Sequence, residues 1–126
     1  MKAKKLFFKE TRLAGRQYHD ADEVWEELKV GTLLRLEHEP NNHYDENAVQ
    51  VIYERGKNEE DCFLLGYIPC TDNQEIAALL SMDWDDVFEC RISKIIPEAH
   101  YEHQIRLTIR IKKNEHNSKN AAKQRE

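Results

Sequence analysis

The clearest pattern lies late in the chain, where Ile105, Leu107, Ile109 and Ile111 alternate with Arg106, Thr108, Arg110 and Lys112. A period of two puts the first set on one face of a strand and the second on the other, one buried and one wet. Shorter runs of the same kind at 6–13, 32–38, 48–53, 62–68 and 87–96, with 104–112, predict six strands separated by turn-forming residues. A small β-rich domain follows, a barrel or a sandwich. Two segments break the period. In 71–80, Ile76, Leu79 and Leu80 share a helical face, and either Thr71 with Gln74 or Asp72 with Glu75 makes a capping box ahead of them. This helix is expected to plug an open end of the barrel. A short loop helix is expected at 22–28, where Val24, Trp25 and Leu28 recur at helical spacing until Gly31 stops the run.

Composition adds boundaries to this picture. At 126 residues the chain fits one domain, and 40% apolar residues suffice for one core without staples. With 34% charged residues, no stretch is apolar enough to span a membrane. Only Leu6, Phe7 and Phe8 follow the N-terminal lysines, too short a run for a signal-peptide core, so secretion is not expected. Cys62, Cys70 and Cys90 are odd in number and widely spaced, which yields neither a disulfide framework nor a CxxC knuckle and points to the reducing cytoplasm. Segment 113–126 has no aromatic or large aliphatic residue and is expected to be a disordered basic tail, with 1–5 a basic extension and 6–112 the folded domain.

Net charge is −5, yet residues 1–10 and 112–126 each carry +3, which leaves −11 between them. So acidic a body repels phosphate at long range and excludes general electrostatic DNA binding. The basic ends are either solvated tails that aid solubility or local attractions for a strand.

Glu39-Pro40-Asn41-Asn42-His43-Tyr44-Asp45-Glu46-Asn47 is the most unusual stretch, a polar run between two strands with a tyrosine inside it. Pro40, Asn41 and Asn42 favour a turn, and Asp45 or Asn47 can bond back to nearby amides. By themselves these residues allow either an elaborate hairpin turn or a pocket. Tyrosine faces stack on any base, and a carboxylate beside them accepts a terminal hydroxyl while repelling phosphate. Tyr18, Tyr53 and Tyr67 are open to the plainer reading that they close barrel rims.

Gly15-Arg16-Gln17-Tyr18, then Asn42-His43-Tyr44-Asp45-Glu46-Asn47-Ala48-Val49-Gln50-Val51, then Leu65-Gly66-Tyr67-Ile68-Pro69 together resemble the HIRAN domain family. The likeness runs from about Phe8 to Ile111. It implies a mainly β, OB-like six-stranded barrel with one capping helix. It also implies binding of single-stranded DNA at its 3'-hydroxyl end, as an accessory to DNA repair or processing. On that likeness Tyr18 stacks on the end nucleotide, Tyr44 and Asp45 line the pocket, Asp45 accepts the hydroxyl proton, and Tyr101 falls near a second stacking position. Tyr18, Tyr44 and Asp45 are then expected to converge at one rim.

The sequence also departs from the family pattern. Gln17 stands where the end binders have arginine, Tyr67 where they have histidine, and Cys70 where a basic residue meets phosphate. Neutral hydrogen bonds from Gln17 and Tyr67 are weaker than the charge-assisted ones they replace, and Arg16 is a candidate to compensate. The alternative is an acidic protein-interaction module that docks a helicase or nuclease without touching DNA. No Walker loop, GxSxG elbow or HExxH helix is present, so a binding module and not an enzyme is expected, without cofactor. His100 and His103 with Glu98 and Glu102 do not make the four converging ligands that zinc needs. Asp83, Asp85 and Asp86 lack the spacing of a calcium loop.

Overall fold

Strand β6 (Ile105–Lys112) realises its alternation: Ile105, Leu107 and Ile109 are fully buried, while Arg106, Thr108 and Arg110 turn outward. In the computed structural model, which describes residues 4–84 and 86–113, it lies between β1 (Lys5–Arg12) and β5 (Phe88–Ile95). The remaining strands are β2 (Leu33–His38), β3 (Val49–Glu54) and β4 (Cys62–Tyr67). All pairings are antiparallel and the six strands form one sheet in the order β1-β6-β5-β2-β3-β4. Each predicted strand is present within two residues of its expected ends.

The sheet is not closed, which corrects the expected barrel. Its outer strands β1 and β4 share no ladder. They are joined just past the end of β1 by one isolated bridge, in which Ala14 and Tyr67 exchange two backbone hydrogen bonds of 2.9 Å each. Gly66 makes this approach possible, since a Cβ there would stand 2.4 Å from the Ala14 carbonyl oxygen. Register shifts in β1, β4 and β5 add the bulges that curve such a sheet.

The buried residues form one core cluster. Leu13, Val49, Val51, Leu65, Ile92 and Leu107 are among its most buried members. Helix α1 (Gln74–Ser81) covers it with Ile76, Ala77 and Leu80. The capping boxes expected at its start do not form. The N-cap is Asn73, whose side chain makes no bond to the helix and instead donates its amide N–H to Asp45. Asp72 likewise accepts the Thr11 hydroxyl at 2.6 Å.

The expected loop helix at 22–28 is instead a pair of 3-10 turns, Asp20–Glu23 and Trp25–Glu27, with a third at Arg16–Tyr18. Val24 has φ −122°, outside the helical range, and breaks the run between the two. Val24 and Leu28 still reach the core, so the apolar spacing was read correctly although the backbone tightened. Lys5 opens β1, and the Lys113 amide bonds to the Lys4 carbonyl, so both ends of the expected domain run beside each other. The rest of the expected tail, 114–126, and residues 1–3 lie outside the described residues. Among the described residues no helix is long and apolar enough to cross a membrane.

Candidate nucleic-acid interface

The loop between β2 and β3 is built by its own asparagines and carboxylates. Oδ1 of Asn42 accepts the amides of Tyr44 at 2.8 Å and Asp45 at 3.0 Å, and Oδ1 of Asp45 accepts the Asn47 amide at 2.9 Å. These are two consecutive Asx-turns. They leave the Tyr44 side chain 97% exposed and hold Asp45 half-buried.

Asp45 is fixed a second time, from a distant part of the chain. Its Oδ2 accepts the Nδ2 of Asn73 at 2.8 Å. Each carboxylate oxygen thus has one donor, and since a carboxylate has about four acceptor sites, each keeps capacity for another.

Glu39 is the hub that joins this loop to the sheet. Its Oε1 accepts Asn42 Nδ2 at 2.8 Å, and its Oε2 accepts Gln50 Nε2 at 2.6 Å and the Tyr67 hydroxyl at 2.9 Å. Burial, followed by the carboxylate of Glu39 against the lowering effect of Gln50, holds the Tyr67 phenol above its usual range. The Tyr67 hydroxyl proton expected for phosphate is donated to Glu39. The Tyr67 ring also lies 5.4 Å from that of His19, which attaches the turn bearing Gln17 and Tyr18.

That turn is anchored on its other side by Arg16 and Glu102. Arg16 is 3% exposed, so the compensation expected of it is not available to solvent. Its guanidinium lies over Trp25 at 4.4 Å and Tyr101 at 5.0 Å and donates to Asp22 Oδ1 at 2.6 Å. Its Nε and Nη1 are buried without a hydrogen-bond partner, and the two aromatic faces are what offsets that cost. Glu102 receives both the Gly15 amide, at 2.9 Å, and the Arg12 guanidinium. Tyr101, in the 3-10 turn Tyr101–His103, is thereby held beside Arg16 and left 44% exposed.

A continuous series of contacts thus runs from Tyr101 through Arg16, His19, Tyr67, Glu39 and Asn42 to Asp45 and Asn73. Tyr18, 75% exposed, and the exposed Gln17 stand on it between Arg16 and His19. Cys70 is exposed, in the turn before α1 where the Asp72 amide bonds to the Pro69 carbonyl. No direct contact joins Tyr18 to Tyr44 or Asp45 among these. Sequence reasoning did not assign roles to Glu39, His19 or Asn73. Glu39 lies in the motif itself, and Asn73 lies within the 71–75 stretch read as a capping box, which was the available signal.

The chemistry of the site is acidic and aromatic. Glu39, Asp45 and Glu102 are carboxylates, and the cations that enter it, Arg12 and Arg16, are already paired. Cys90 is away in the core, where burial pushes its thiol up to about 12. Among the described residues no group of His, Cys, Asp and Glu is placed to hold a metal ion.

A family model described as HIRAN domain matches residues 7–114. A protein from Lactobacillus plantarum has a similar fold, with a TM-score of 0.66 and 21% identity over 85% of this chain and 94% of that one. The HIRAN domain of human HLTF is similar at a TM-score of 0.60 and 16% identity, over 94% of this chain and 88% of that one. At these identities the likeness is one of fold. The search of curated proteins found no match.

Proposed function

The chain belongs to the HIRAN domain family of nucleic-acid-binding modules, and from that premise we propose that it binds single-stranded DNA at its 3'-hydroxyl end. The observation that carries this is Asp45: a carboxylate held by two donors, with acceptor capacity left, next to an almost fully exposed tyrosine and, among the described residues, with no cation bonded to it. A free hydroxyl has a proton to donate to such a group. A terminal phosphate has none when doubly ionised and meets like charge.

Tyr44 and Tyr18 supply stacking faces, with Tyr101 further along the same contact series, each worth about 1–3 kcal/mol per base. Gln17 supplies a neutral donor beside them. Cys70 adds no charge, so binding at this site is expected to be weak and set by the end of the strand. The role that fits is accessory, presenting strand ends to a helicase or nuclease that processes them.

Fluorescence anisotropy with short oligonucleotides carrying free or phosphorylated 3' and 5' termini tests the proposal. The strand with a free 3'-hydroxyl is expected to bind best, whatever its 5' group. Indifference to the 3' group would overturn the proposal, and no binding of any of these strands would favour the acidic surface as a docking site for a protein partner.

A further inference from the structure

The outward residues of β6 all carry hydrogen-bond donors: Arg106, Thr108, Arg110 and Lys112. The register places Arg12 of β1 and Lys94 of β5 directly beside Arg106, one on each side, and Lys5 beside Lys112. Between these rows, Thr108 lies between Glu10 and Arg91, and Arg110 between Phe7 and Glu89. Side chains directly opposite on one face of a sheet interact, and like charges there are destabilising. Three cations in one row, spread over about 10 Å at the usual strand spacing, are therefore a cost to the fold.

Carboxylates offset only part of it. Glu102 takes Arg12, Glu89 takes Lys5 and Arg91, Asp86 takes Lys112, and Glu10 lies 3.8 Å from Arg106. Among the described residues Lys94 and Arg110 have no ion-pair partner. Seven cations thus face four carboxylates on a chain whose interior segment carries −11. The same face exposes Phe7 at 68% and Leu33 at 55%, and holds a hollow of about 190 Å³ in which Arg91 and Arg110, with Ser93 and Thr108, surround the carboxylate of Glu89, already taken by Lys5 and Arg91.

We infer that the outer face of β1, β6 and β5 is a second nucleic-acid surface, which holds the phosphate backbone of a strand away from its end. The inference rests on the reading of the domain as a nucleic-acid binder, and it does not need the 3' end. Phosphate is the complementary ligand because four of the seven cations are arginines, whose planar fork pairs two oxygens at once. Phe7 offers a face for a base beside Arg110. Arg106 and Lys112 are six residues apart, about 20 Å along the strand, which is room for several phosphates.

The test uses the full chain and a covalently closed single-stranded DNA circle, which has no end. The circle is expected to bind with marked salt dependence. Lys94→Glu with Arg106→Glu and Arg110→Glu is expected to weaken that binding about tenfold or more and to flatten the slope of log affinity against log salt by about 2, at roughly 0.7 per phosphate. Lys94→Gln with Arg106→Gln and Arg110→Gln reads the same loss if the glutamate set does not fold, and a thermal melt reports folding. A short oligonucleotide with a free 3'-hydroxyl is expected to bind both sets like the parent. Circle binding that depends on these cations supports the inference whether or not the short oligonucleotide binds, so the two readings fail separately. No binding of the circle, or equal binding by parent and variants, would overturn it. Competition by polyglutamate equal to that by DNA per charge would also overturn it, and would mark the face as a dock for acidic protein.

Discussion

The side-chain amide of Asn73 donates to Oδ2 of Asp45 at 2.8 Å, tying the buried N-cap of α1 to the β2–β3 loop across 28 residues of chain. One bond therefore links helix and loop. Asn73→Ala is expected to cost about 1–3 kcal/mol in a denaturant titration, because the carboxylate loses a donor in a partly desolvated place. The same change is expected to weaken strand-end binding, since Asp45 keeps only its local turn to orient it. Unaltered stability would show that water replaces the amide at no cost.

Asp45 and Tyr18 are expected to separate by what they discriminate. Asp45→Asn preserves size but removes the charge, so binding of a 3'-hydroxyl strand falls by about 1–2 kcal/mol and the preference over a 3'-phosphate narrows. Tyr18→Ala is expected to lose about 1–3 kcal/mol of stacking for both ends alike. Anisotropy on the two strands checks both. A Tyr18→Ala loss confined to one end would contradict a purely stacking role.

Gly66 is where the two edges of the sheet come closest. Gly66→Ala puts a methyl group 2.4 Å from the Ala14 carbonyl oxygen and 3.0 Å from Leu13 Cδ1, so the backbone must move. The expected loss is about 1–3 kcal/mol of stability. Hydrogen exchange is expected to speed up at the Ala14 and Tyr67 amides before it does in β5 and β6.

Glu89 makes stability depend on pH on the acidic side. Its side chain is 7% exposed, and the hydrogen bond from Lys5, against the opposing effect of burial and with help from Arg91, holds its carboxyl below the usual carboxylate range. A carboxyl lowered on folding contributes stability above its unfolded pKa and loses it as pH falls through the folded one. Glu89→Gln is expected to cost roughly 1 kcal/mol at neutral pH, a modest figure because Lys5 and Arg91 are partly exposed and screened. The difference between variant and parent is expected to shrink below about pH 4, as thermal melts across pH would record.

Much of the fold was legible because its signals are local. The alternation from Ile105 to Ile111 sets a buried and a wet face by itself, since the strand period is a property of the backbone. The same holds for the apolar spacing of Ile76 and Leu80, and for the Asx bond from Asp45 to the Asn47 amide, which spans two residues. The motif around Tyr44 and Asp45 marked where the candidate site lies.

What only the tertiary structure decided involves groups far apart in sequence. Whether the six strands close depends on how near β1 and β4 approach, and they meet at one bridge beside Gly66. Arg16 was legible as a charge, but its burial between Trp25 and Tyr101 takes it out of reach of a phosphate. A helix start was legible around Thr71 and Asp72, yet it is the amide of Asn73 that turns to Asp45, and the Tyr67 hydroxyl likewise turns to Glu39, also 28 residues away. Sequence determines which polar groups exist and which strands they ride on. Their partners are chosen by the fold, because a buried donor or acceptor bonds to whatever packing brings within about 3 Å.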